Sequence, residues 1–190
     1  PGTAPETTPL FDADGDPLPM PKDNGSDRAD NSGGLLPAGH WQWKDSCSKD
    51  QLVGQVLGLV MLYEAMKDDP DIDKALVERL AEDARGVGEM LMEPREIGEL
   101  EGPAGSGVYD LIIMDADGRP TYHHDLNPLA IEKIYMLDAP ESAFNRFNLL
   151  MALGVIEGLY HVTGDPALER YLYEELLGRR DYLGKVLQQE

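Results

Sequence analysis

The sequence predicts a mainly α protein built from two helical hairpins, with a small β-hairpin and an extended N-terminal arm. Three observations carry that reading. An apolar segment with two glycines four residues apart occurs twice, as Gly54/Gly58 and Gly154/Gly158. Each is followed by a short joint containing Asp-Pro, at Pro70 and Pro166. Each joint opens a segment with helical apolar spacing, regular in the first and interrupted by glycines in the second, the pattern of a helix with one buried stripe.

Residues 1–40 are rich in Pro, Gly, Asp, Asn and Ser and read as an extended, loop-rich arm with too little apolar content for a core of its own. Residues 41–190 form the helical-hairpin domain. Ser48-Lys49-Asp50-Gln51 fits a capping box and opens a helix expected over 48–67. Asp69-Pro70 supplies an N-cap and a first-turn proline for a second helix over 71–92, with Ile72, Leu76, Leu80, Ala84, Val87 and Leu91 as its buried stripe. After a Gly/Pro loop, residues 108–114 read as one strand, 115–118 as a turn, and 120–124 as a return strand. A short helix is expected from Pro128 to Leu137. The last third repeats the first, with helices over 142–163 and 166–187, Asp165 as N-cap and Pro166 at the first helical position. Glycine lowers helix stability, so both glycine pairs are expected to face neighbouring backbones.

Length and charge set outer bounds. The chain has 190 residues, 42% of them apolar, enough for one domain with a core. Sixteen basic against 36 acidic residues give a net charge of −20. Such a surface repels nucleic acid and anionic membranes and favours cationic partners and divalent ions. No apolar run reaches the ~18 residues of a membrane span. The single cysteine, Cys47, excludes an internal disulfide. The chain begins at Pro1 and reads as a processed protein or a fragment, with an extracellular or periplasmic setting favoured.

The segments 41–92 and 142–187 resemble the α/α-toroid proteins, the six-hairpin glycosidase-like architecture. The resemblance rests on the aromatic, Asp- and Gln-containing entry Trp43-Lys44-Asp45-Ser46-Cys47-Ser48-Lys49-Asp50-Gln51 and on the joint Tyr160-His161-Val162-Thr163-Gly164-Asp165-Pro166. It implies a carbohydrate-binding or carbohydrate-processing protein. A full toroid needs about a dozen helices, so four long ones imply a partial toroid, a fragment completed by another chain, or a plain bundle.

Four constellations offer chemistry. Asp12, Asp14 and Asp16 alternate like the start of an EF-hand loop and are a candidate calcium site, although Pro17 stands where that loop needs glycine and Asp23 where it needs glutamate. Asp115-Ala116-Asp117-Gly118 repeats the motif more weakly and suits a turn. Trp41 and Trp43 beside Asp45 and Asp50 suit sugar recognition, the aromatics as platforms and the carboxylates as acid and base. The alternative is that the tryptophans seal a helix end and the acids face its dipole. His123 and His124 are candidate substrate contacts, and Asp125 is a candidate orienting carboxylate or base, against a plain polar surface. Cys47 precedes the capping serine and has no histidine partner in sequence. The competing functional class is a non-catalytic structural or interaction protein, calcium-stabilised and assembling with another chain that completes its helical layer.

Overall fold

The computed structural model describes residues 27–29, 42–44, 47–97, 107–114, 120–128 and 145–187. They are predominantly helical, as the sequence predicts. The chain divides into two compact units, one of Pro1–Ser48 with Ile113–His124, the other of Lys49–Ile112 with Asp125–Glu190.

In the first unit, β1 (Asp27–Ala29) and β2 (Gln42–Lys44) pair antiparallel, with Arg28 opposite Trp43. The buried Thr121 hydroxyl donates to the Cys47 carbonyl at 2.8 Å. The half-buried Cys47 thiol lies 3.4 Å from the Ser48 carbonyl.

The second unit holds the helices. α1 spans Lys49–Met66 and α2 spans Lys74–Met92. The cap of α2 is Asp73, whose carboxylate accepts from the Ala75 amide, and not Asp69. Asp69 instead accepts from the Asp71 amide in a turn containing Pro70. The helix therefore starts about one turn later than the Asp-Pro signal suggests, because this aspartate closes a local turn rather than a helix. β3 (Arg95–Ile97) pairs antiparallel with β4 (Gly107–Tyr109).

The strand expected over 108–114 is broken. Asp110 and Leu111 turn the chain between β4 and β5 (Ile112–Met114), and Leu111 adopts φ 59°. A non-glycine residue tolerates that conformation only when its surroundings hold it there. Here Leu111 is fully buried, its amide donates to the Leu91 carbonyl at 2.7 Å, and its carbonyl accepts from the Leu126 amide at 3.0 Å. The return strand is present as β6 (Pro120–Asp125), paired with β5.

α3 (Arg146–Thr163) begins at Asn145, whose side chain accepts from the amides of Phe147 and Asn148. It ends at Gly164 with φ 60°, a left-handed position that favours glycine. The expected helix over 166–187 is three pieces. α4 (Pro166–Arg170) has Asp165 as its cap and Pro166 in its first turn, as expected. It runs into a π-helical segment, Tyr171–Arg179, whose wide turn is closed by the Arg180 amide donating to the Glu175 carbonyl at 2.9 Å. After Asp181, at φ 49°, α5 spans Tyr182–Leu187.

α3 is the central helix. Leu149, Ala152, Val155, Ile156, Leu159 and Val162 are all buried, and it packs on α1, α2, α4, α5 and the π segment. α2 meets the C-terminal half through Gly88, where a Cβ would lie 2.8 Å from Leu168. α1 packs chiefly on α3 and secondarily on α2. The glycine expectation is largely overturned. Gly158 does meet a neighbour, but side chains rather than backbone, since a Cβ there would come within 3.0 Å of Val56 Cγ1 and 3.2 Å of Val60 Cγ2. Gly54, Gly58 and Gly154 look onto open space.

Asp165 ties the two hairpins. Its carboxylate accepts from the Ala167 amide at 2.7 Å and from Arg85 of α2 at 2.9 Å. The amide first, and then Arg85 against the opposing effect of burial, hold its pKa below the usual carboxylate value. A depressed folded pKa contributes stability that is present above the unfolded value of about 3.9 and lost as pH falls through the lower folded value. Asp165→Ala should therefore lower stability by about 1 kcal/mol at neutral pH. Urea unfolding of both chains between pH 7 and pH 3 should show this gap shrinking with acidification. A constant gap would mean that the charge contributes nothing.

Candidate functional site

A densely bonded polar cluster is centred on Asp110. Its side chain is 9% exposed and that of Arg180 is 24% exposed. Arg180 grips the carboxylate with both terminal nitrogens, one of them at 2.9 Å from Oδ1. The Tyr171 hydroxyl donates to Oδ2 at 2.7 Å, and the Asn127 amide donates to Oδ1 at 3.3 Å and to the Asp110 carbonyl at 3.1 Å. The Arg180 Nε donates to Glu175, and the guanidinium lies 5.8 Å from the ring centroids of both Tyr171 and Tyr182.

The π segment brings Tyr171 and Glu175 to this cluster while burying Leu172 and Leu176. Burial first, then the Asp110 charge, pushes the Tyr171 hydroxyl well above its ordinary pKa, so it is a hydrogen-bond donor at any biological pH. Burial opposes the charged guanidinium of Arg180, but the bonds to Asp110, Tyr182 and Glu175 outweigh it and hold Arg180 more firmly protonated. The donors around the Asp110 carboxylate are all engaged with it, and an always-charged guanidinium is no acid. The cluster is suited to locking β4, the π segment and α5 together. Beside it opens a cleft of about 460 Å³ lined by Pro94, Tyr109, Asn127, Pro128, Tyr182 and Lys185, among others.

The second feature is the outer face of α1. Leu52 and Val56 are buried, and Val56 and Val60 meet α3 at Gly158. On the opposite side of the same helix, Leu57 is 58%, Met61 65% and Leu62 52% exposed. With Gly54, Gly58 and Ala65 these form one stripe at three- and four-residue spacing. α1 is therefore apolar on both sides, and the described residues cover one of them. At its C-terminal end, Glu64 bonds Lys67 at 2.7 Å and His161 of α3 at 2.6 Å, and Tyr63 meets the His161 ring edge-on. Lys67 first, and then His161, lower the Glu64 pKa.

Of the residues singled out from sequence, some are described, some only as backbone positions, and the others lie outside the described residues. Asp50 lies exposed in the first turn of α1, and its capping neighbour Ser48 is buried. Trp43 belongs to β2, and His123, His124 and Asp125 belong to β6, as backbone positions. Trp41, Asp45, the calcium candidates Asp12, Asp14 and Asp16, and Asp115 and Asp117 lie outside the described residues. Among the described residues no three His, Cys, Asp or Glu side chains gather as a metal site, and no helix is long and apolar enough to cross a membrane. Sequence reasoning missed the Asp110 cluster, in which Asp110 and Arg180 are 70 residues apart. It also missed the bare face of α1. The available signal for that face was that Gly54, Leu57, Gly58, Met61, Leu62 and Ala65 share one side of an otherwise apolar helix. No known protein family, no curated protein and no solved structure matches this chain.

Proposed function

We propose that this protein is a non-catalytic helical interaction module in which another chain's apolar helix docks on α1 and completes the helical layer. The observation that carries this reading is the exposed stripe of Leu57, Met61 and Leu62, set opposite the buried side of α1. A helix that is apolar all round is ordinarily covered all round. Each of these side chains keeps more than half its surface, and burying the remainder contributes about 1 kcal/mol apiece. The open positions at Gly54 and Gly58 leave hollows that a partner's side chains can enter. In the α/α-toroid arrangement that the sequence resembles, each inner helix has a further hairpin beside it, and the bare side of α1 is the place for one. The Asp110–Arg180 cluster, saturated internally, serves as a clamp in this reading rather than as a reaction centre.

The test is a helical probe. A synthetic helical peptide with a leucine-and-glycine stripe at three- and four-residue spacing should bind the intact chain. Met61→Glu should weaken that binding at least tenfold, which corresponds to about 1.4 kcal/mol. The same substitution should leave the melting temperature unchanged, because Met61 faces away from the core. Equal binding by both chains, measured by fluorescence anisotropy, would remove α1 as the docking face. No binding by either would remove the reading itself.

A further inference from the structure

Resting on that reading, we infer that the occupant of the α1 face is a second copy of this chain, with the two α1 helices antiparallel across a two-fold axis. A two-fold interface must be complementary to itself, and the stripe has that property in one orientation. Centring the axis between Leu59 and Val60 sets Met61 of each copy opposite Gly58 of the other. Met61 is the most exposed side chain of the stripe, and Gly58 has open space where a Cβ would be. The same register sets Leu57 against Leu62, two apolar side chains of equal size, and Gly54 against Ala65, both small, so the most exposed knob meets a hollow and no two methionines collide. A parallel pair would set Met61 on Met61 and Leu57 on Leu57, knob against knob.

Charge favours the same orientation. The C-terminal end of α1 and its joint carry Glu64, Lys67, Asp68 and Asp69, a net of −2, at the negative end of the helix dipole. The N-terminal end carries Lys49 and Asp50, a net of zero, at the positive end of the dipole. Antiparallel pairing sets the negative end of each helix against the positive end of the other. Parallel pairing would bring the two −2 ends together. Within the stripe itself, from Gly54 to Leu62, there is no charged residue. The six positions a side give a contact below about 1,200 Å² in total, the size of weak, reversible complexes. The net charge of −20 on each copy opposes association at long range, so added salt should strengthen the dimer by screening that repulsion.

Sedimentation equilibrium of the full chain from about 10 µM to 1 mM should show a reversible monomer–dimer equilibrium, in the affinity range expected for so small a contact. The dimer should be tighter at high salt. Met61→Glu and Gly58→Leu should each weaken it at least tenfold, the first by placing charge in the contact and the second by filling the hollow. Orientation is read by crosslinking in a Cys47→Ser background. A mixture of Gly58→Cys and Met61→Cys chains should form disulfide-linked pairs faster than either chain alone. Faster pairing of Met61→Cys with itself would overturn the antiparallel arrangement. A monomer at every concentration and salt would overturn the second-copy proposal, and binding of the helical peptide to α1 would then show that the docking reading survives it.

Discussion

Replacing Arg180 with methionine is expected to lower stability by about 3–5 kcal/mol, the cost of leaving a buried carboxylate without its countercharge. Asp110 is nearly enclosed, and Arg180 supplies two of the donors to its carboxylate, with Tyr171 and Asn127 supplying the rest. Those two remaining donors are neutral and cannot compensate a full charge in that surrounding. Glu175 also loses its inner partner and keeps Arg179. The expected loss belongs to the broken pair, not to the pair as such. Asp110→Asn combined with Arg180→Met should therefore recover a large part of it, since neither charge is then stranded. Urea unfolding of the single and double variants measures both effects. A single variant within about 1 kcal/mol of the parent would show that water reaches the carboxylate and screens it.

That cluster also shows where local sequence reading ends. Helix caps are local chemistry, and Asp165-Pro166 was legible because the side chain and the amide it accepts from are two residues apart. Asp69-Pro70 has the same letters and closes a turn instead, because Asp73, four residues on, offers a competing cap. Asp110 sits inside the run 108–114, whose apolar content reads as one strand. The break there depends on Arg180 and on a left-handed Leu111 held by Leu91 and Leu126, none of which alternation can report. The π-helical turn has a similar standing. Period 3.6 and a one-residue insertion differ by too little over nine residues for apolar spacing to separate them. The glycan and calcium candidates are a different case: Asp12, Asp14, Asp16, Trp41 and Asp45 lie outside the described residues, and adjacency in sequence does not by itself give convergence of side chains on one cleft.

Gly58 and Gly158 give the second large effect, because they look alike in sequence and stand in opposite surroundings. Gly158→Leu is expected to lower stability by about 1–2 kcal/mol net. Forcing a side chain into a filled space costs about 1–3 kcal/mol, and leaving glycine in a helix interior returns somewhat under 1. The obstruction is specific. A Cβ at 158 would stand 3.0 Å from Val56 Cγ1 and 3.2 Å from Val60 Cγ2, both branched side chains with little rotamer freedom in a helix. The remaining carbons of leucine would have to separate α1 from α3, the central helix of the unit. Gly58→Leu meets nothing within 4 Å and receives only the helix-propensity gain. It is expected to raise stability by somewhat under 1 kcal/mol at concentrations where the chain is monomeric. Thermal unfolding of the two variants beside the parent chain should thus move the midpoint in opposite directions. A loss at both positions would mean that α1 is covered on both sides within a single chain. The bare face on which the docking proposal rests would then not exist. Opposite signs would leave Gly58 with a cost to isolated helix stability and no compensating contact inside the chain, which is the condition expected of a residue whose contact lies in another molecule.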